Sequence, residues 1–273
     1  MTSGSAPVAA AGLLDNLLDD TGSPAAHRDH RGAWYGDTLA ALVLDAATIE
    51  QTTAQLGAAD HARPVLLSGS DRHQVRAARD LIAEDDRVEL IGVRLPLPEA
   101  GPGARVSRAE TTARLLAALD FTAPAWIEIA PGPGWAEALS VIAADGAEGL
   151  TLVLDDGPDQ AAALLDAAVS HRLRWRLGGP ELPLTSPPTA PTDHRYGVLN
   201  VLAAVRAALE GASRPDLARV LAEPDPAPVV ASLRALTEAD AARLRTLCVA
   251  VQADDVEGTI AELVRLGLIA PDD

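Results

Sequence analysis

Short apolar runs alternating with helical patterns dominate the middle of this chain, and they leave few folds open. Leu39–Leu44, Pro64–Leu67, Val88–Leu95, Trp126–Ala130, Leu150–Leu154 and Leu173–Leu177 each read as a strand. Helical patterns lie between them: Ala46–Leu56, a helix capped by Ser68-Gly69-Ser70-Asp71 and running through Ala83, Ser107–Leu119, Trp135–Ala144, and a helix opened by Asp155-Asp156-Gly157-Pro158 that runs through His171. Parallel strands need long crossovers and are buried on both faces, so they read as short, continuous apolar runs between helices. This is the βαβ rhythm of a parallel sheet. A leucine-rich segment at Leu13–Asp20, either a helical stripe or a strand, and a weak run at Val229–Leu233 bring the strand candidates to eight. Eight βα units over a chain of 273 residues predict a (β/α)8 TIM-type barrel. The alternative is an open doubly wound sheet with a helical tail. The predicted division is a flexible 1–10 and a single barrel-like domain over 11–273, with 212–228 as a Pro-rich linker and helices at Thr237–Cys248 and Val256–Leu266 closing the fold.

Composition narrows the chemistry. Apolar residues make up 48% and aromatics 3%, so the core must be built from Ala, Leu and Val. All 22 basic residues are Arg, since no Lys occurs. Schiff-base aldolases, pyridoxal enzymes and P-loop NTPases each need a lysine amine and are excluded. No Gly-rich dinucleotide fingerprint follows a strand, and Pro131-Gly132-Pro133-Gly134 lacks the N–H donors that would hold a phosphate. No cofactor is therefore expected. A net charge of −17 without a basic cluster argues against nucleic acid and anionic membrane surfaces as partners. No apolar run is long enough to span a bilayer, and the opening MTSGSAPVAAAG has no basic n-region. One cysteine, Cys248, leaves no internal disulfide or cysteine metal cluster. These points together predict a cytoplasmic protein.

Charged residues inside parallel strands are the most informative. Glu89 and Arg94 lie in VELIGVR, Glu128 in WIEIA, and Arg174 and Arg176 in RWR, while Asp155 ends LTLVLD. Alternation along WIEIA turns Ile127 and Ile129 toward the helices and Trp126 and Glu128 toward the barrel interior. At the C-terminal strand ends Glu128, Asp155 and either Arg176 or Trp175 would converge. Glu128 would then serve as general acid or base, and Arg176 and Asp155 as substrate-binding groups. The structural alternative is a buried Glu128–Arg176 ion pair that catalyses nothing. The long Pro-rich connection from Gly178 to Tyr196 carries His194, a second acid/base candidate or a helix cap with Asp193. Asn200 follows in the first turn of the next helix, placed to bind substrate or to hold the loop. His27, Asp29 and His30 have a spacing that could hold a metal, but they read better as a solvated polar turn, so no metal site is expected.

LLDDTG (Leu17–Gly22), WIEIAPGPGW (Trp126–Trp135), GGPELPL followed by HRYGVLNVLAA, and AELVRLGLI (Ala261–Ile269) together resemble a group of uncharacterised actinobacterial proteins with a TIM-barrel-like fold. The resemblance implies a barrel and carries across Glu128, His194 and Asn200. The group's Leu-His-His reads Pro180-Glu181-Leu182 here, and its strand lysines have no counterpart. The chain thus looks like a diverged member that has lost much of the group's polar site. Two functions follow as expectations. One is a non-catalytic scaffold, regulator or partner subunit, acting on a protein partner or as a homo-oligomer. The other is a metal-independent lyase or isomerase acting by acid/base chemistry on a small anionic metabolite, with the 179–196 loop as a lid.

Overall fold

The structure, a computed structural model, describes residues 12–56, 62–69, 71–97, 107–118, 124–145, 149–154, 156–179, 183–187 and 196–271. Eight parallel strands form a closed barrel in sequence order. They are β1 (Leu18–Asp20), β2 (Leu39–Asp45), β3 (Ala62–Ser68), β4 (Val88–Pro96), β5 (Ala125–Ile129), β6 (Gly149–Val153), β7 (Trp175–Gly178) and β8 (Cys248–Ala253). The helices α1 (Pro24–Gly32), α2 (Ile49–Ala54), α3 (Arg72–Ile82), α4 (Arg108–Ala118), α5 (Trp135–Asp145) and α6 (Pro158–Ser170) connect successive strands up to β7. The stretch from β7 to β8 holds α7 (Val198–Leu209), α8 (Arg214–Leu221), α9 (Pro226–Arg234) and α10 (Glu238–Leu247), and α11 (Val256–Arg265) follows β8.

Three sequence expectations are corrected. The weak β run at Val229–Leu233 lies within α9, and the predicted linker holds all of α8 and the start of α9. Pro at the first turn is what these two stretches share: Pro215 and Pro226 start helices, because the N–H that proline lacks has no partner there in any case. The eighth strand is instead Cys248–Ala253, which pairs with both β7 and β1. Third, the residues around His27 and His30 form α1, capped by Ser23, and His27 is buried.

The larger apolar core lies between the sheet and the helices on the β5–β8 side. A smaller one packs α2 and α3 against β2–β4. Inside the barrel a third cluster joins Ala41, Leu66 and Trp126, with Val43, Ile91 and Val249 against it. Trp126 fits only because its neighbours are small. A side chain at Gly92 would meet its Nε1 at 2.9 Å, and one at Gly149 would collide with its six-membered ring.

Above this indole lies the buried charge of the interior. Arg176 Nη1 donates to both Asp19 oxygens, at 2.6 and 2.5 Å, and the guanidinium carbon sits 4.7 Å from the Trp126 ring centroid. Burial pushes the Asp19 carboxyl up, and the Arg176 guanidinium pulls it back. The pair joins β1 to β7 across β8 and so spans the barrel's closing seam. Removing one partner leaves the other charged in a dry interior. Asp19→Ala is therefore expected to lower unfolding free energy by about 3–5 kcal/mol in urea melts, and Asp19→Leu combined with Arg176→Met to recover most of it. A loss within about 0.5 kcal/mol, ordinary for a surface change, would show that the pair does not support the fold.

The described part of the β7–α7 connection is pinned. Asn200, fully buried, accepts from Ser186 N–H at 2.9 Å and donates to the Val220 and Glu223 carbonyls at 3.0 and 2.8 Å. Ser186 Oγ donates to Leu221 O at 2.7 Å and accepts from Gly197 N–H at 2.8 Å. A Cβ at Gly197 would run into the Thr185–Ser186 backbone. Asn200→Ala would orphan three backbone groups and is expected to cost about 2–4 kcal/mol, read as a lowered denaturation midpoint.

Candidate functional site

In barrels of this kind the C-terminal ends of the strands form the working face. Arg94, near the end of β4, reaches across this mouth. Its Nε donates to Ser68 Oγ on β3 at 3.0 Å, and its Nη1 donates to Gln252 Oε1 on β8 at 2.8 Å. Glu128 Oε2, on β5, stands 3.9 Å from Nε, too far for a hydrogen bond. A side chain at Gly178 on β7 would come within 3.4 Å of Nη1 and 2.6 Å of Thr151 Cγ2. The guanidinium therefore lies over the mouth, touching strands on opposite sides. Among the described residues its two hydrogen bonds go to neutral acceptors, and Nη2 makes none. The side chain keeps 17% of its exposure and Glu128 keeps 33%, so both reach solvent.

A polar rim continues from Gln252. Its Nε2 donates to Asp254 Oδ1 at 3.0 Å, and Thr21 Oγ1 donates to the same oxygen at 2.8 Å. Asp254 is exposed and anchors this chain of bonds. Beside it, the usual phosphate position of such barrels, the loops after strands 7 and 8, is a groove of about 440 Å³ whose lining includes Asp254, Asp255 and Glu262. The N–H of Gly258 in the first turn of α11 is already taken by Asp255 Oδ1 at 2.9 Å. That end is acidic and self-capped.

Asp20, next to inward-facing Asp19, turns outward by strand alternation and clamps α1. Its Oδ2 is 3.0 Å from His27 Nδ1 and 3.1 Å from His30 Nδ1, and its Oδ1 accepts from Gly22 N–H at 2.7 Å. An ionised carboxylate only accepts, so both rings present Nδ1–H to it. Burial disfavours its charge, but the bonds from His27, Gly22 and His30 outweigh that and hold the Asp20 carboxyl below its usual range. The two rings share one oxygen and Asp29 lies beside Arg28, so the His27–Asp29–His30 grouping is not assembled around a common point. Among the described residues no cluster of three or more His, Cys, Asp or Glu could hold a metal. Cys248 is buried, and desolvation pushes its thiol up to about 12, so it is no nucleophile at neutral pH.

The residues proposed from sequence separate. Glu128 stands at the mouth beside Arg94. Arg176 lies deeper, on Asp19, and the expected Glu128–Arg176 pair is not formed. Asn200 is committed to the β7–α7 loop. Asp155 and His194 lie outside the described residues, as does most of the 179–196 loop. Sequence reading missed Asp19, Asp20, Gln252 and Asp254 as structural partners. Two signals were present: adjacent Asp residues ending an apolar run, and the CVAVQA pattern of β8.

No protein-family description, no curated protein and no solved structure matches this chain. No helix among the described residues is long and apolar enough to cross a membrane.

A pH titration tests the Asp20 clamp. Its folded pKa is below the ordinary 3.8, so its stabilisation is present above that value and is lost as pH falls through the lower, folded value. Wild-type protein should lose stability below pH 3.8 more steeply than Asp20→Asn. Equal slopes in acid-dependent urea melts would remove Asp20 from that role.

Proposed function

We propose that the C-terminal mouth binds a small anionic metabolite through Arg94, with Glu128 as the group that moves a proton in a metal-independent lyase or isomerase step. The observation that carries this reading is that the Arg94 guanidinium lies over the mouth on neutral acceptors, with no carboxylate of the described residues in hydrogen-bond contact. A guanidinium in that position is an open, rigid fork for a carboxylate or phosphate oxygen. Ser68 and Gln252 orient it, and Glu128 is the neighbouring carboxylate close enough to act on the bound molecule. Arg94 takes the anion-binding part that the sequence assigned to Arg176.

A second reading is a non-catalytic scaffold, regulator or partner subunit. It draws support from the Asp19–Arg176 pair, in which two of the interior charges neutralise each other and hold the barrel rather than face a ligand.

A thermal-shift screen against phosphorylated and carboxylated metabolites separates the two. A ligand that binds only the folded state stabilises it by about 2.7 kcal/mol at a hundredfold excess over Kd. The first reading expects such a shift to vanish in Arg94→Gln, with Glu128→Gln retaining binding but losing turnover. A shift unaffected by Arg94→Gln, or none across the panel, would favour the scaffold.

A further inference from the structure

The amide that holds Arg94 on the β8 side is itself held. Gln252 carries an acceptor and a donor on one planar group. Its Oε1 accepts from Arg94 Nη1 at 2.8 Å, and its Nε2 donates to Asp254 Oδ1 at 3.0 Å. An ionised carboxylate only accepts, so the NH2 end of the amide must be the one that meets Asp254. The oxygen is thereby turned toward Arg94. Thr21 Oγ1 donates to the same Asp254 oxygen at 2.8 Å, and Thr21 N–H donates to Ala253 O at 3.3 Å. The loop between β1 and α1 thus fixes the carboxylate, the carboxylate fixes the amide, and the amide fixes the guanidinium.

Gln252 is also a neutral residue set between two acids. Its register neighbour on β1 is Asp19, and Asp254 follows two positions along the chain. Asp19 is taken by Arg176, and among the described residues Asp254 reaches Arg94 through the amide. The carboxylate that does stand beside Arg94 is Glu128, 3.9 Å from Nε, outside hydrogen-bond distance. A guanidinium has five N–H donors. Ser68 and Gln252 take one each, which leaves the Nη2 pair and one on Nη1. Gly178 keeps the Nη1 side clear, since a Cβ there would come within 3.4 Å of it. A carboxylate at position 252, in the place of the present amide oxygen, would bond to Arg94 roughly twice as strongly as a neutral acceptor does. It would do for Arg94 what a bound anion does.

We propose that Gln252 is a specificity-determining residue of the C-terminal mouth: it holds Arg94 through a neutral amide whose direction Asp254 and Thr21 set, so that the ligand itself must bring the oxyanion that completes the guanidinium. The inference rests on the Arg94 site proposed above and deepens it. Gln252 contacts Arg94 rather than the anion, so it is a positioning residue, and Asp254 and Thr21 act through it. The β1–α1 loop thereby has a hold on the mouth, through a chain of bonds that begins at Thr21 and ends at Arg94.

The test is calorimetric titration of malonate and of sulfate, at fixed ionic strength, into wild-type protein, Arg94→Gln, Gln252→Glu and Asp254→Ala, with circular dichroism as the check on folding. Binding should be lost in Arg94→Gln and weaken at least about tenfold in Gln252→Glu, the scale of one charge-assisted contact. If the added carboxylate beside Asp19 and Asp254 prevents folding, Gln252→Met carries the test. It removes the acceptor without adding charge, and should weaken binding about fivefold, the scale of one hydrogen bond. Asp254→Ala frees the amide to turn. The side-chain Nε–H signal of Arg94 in a proton–nitrogen NMR spectrum should then shift while the backbone amides of β4 stay in place, which a merely structural rim bond would not produce. Binding lost in Arg94→Gln but unchanged in the folded Gln252 variant would overturn the inference and leave the Arg94 site standing. An Arg94 signal unmoved by Asp254→Ala would likewise overturn it. No binding to wild type, or binding unaffected by Arg94→Gln, would overturn the Arg94 site and this inference with it.

Discussion

A charged pair set inside a closed barrel is the constraint around which the rest of this molecule is arranged. Asp19 and Arg176 come from β1 and β7, on either side of β8, and their bond spans the seam where the sheet closes. Barrel interiors are normally filled by branched apolar side chains. Here a tryptophan, an arginine and an aspartate share the space, and the consequences spread outward. Gly92 and Gly149 must stay small so that the indole fits. The indole in turn offers its face to the guanidinium at 4.7 Å, which offsets part of the cost of taking that charge out of water.

The same layer divides the barrel into two polar ends of different character. At the C-terminal end Arg94 is spread over neutral partners from β3 and β8, with Glu128 near it and an acidic rim at Asp254. At the N-terminal end arginines dominate the opening. Arginines thus stand at both mouths of a protein whose net charge is −17. The groove beside α11, at the position where other barrels hold phosphate, is lined by Asp254, Asp255 and Glu262 among others.

Much of the architecture was legible in the chain. The alternation of apolar runs and helical stretches from β2 to β7 places strands and helices within a few residues of where they lie, and parity in WIEIA correctly turns Trp126 inward. The misses have physical causes. Cys248–Ala253 adjoins α10, and a strand that begins where a helix ends looks like its continuation. Val229–Leu233 is β-branched and apolar, but Pro226 and the Asp225 cap set a helix there. His27 and His30 looked solvated because nothing local reveals that Asp20, seven and ten residues earlier, points at both.

The sequence by itself determined the parallel α/β class, the number of repeating units to within one misplaced strand, the absence of lysine chemistry and the presence of interior charges at Arg94, Glu128 and Arg176. Those follow from periodicity and composition, which are local properties. Only the tertiary structure decided which charges meet. Barrel closure brings β8 beside β7 and β1 just beyond it, so Arg176 finds Asp19 rather than Glu128, and Arg94 finds Gln252, 158 residues away. Partner choice across a closed sheet depends on register and seam geometry, and neither leaves a periodic trace in the chain.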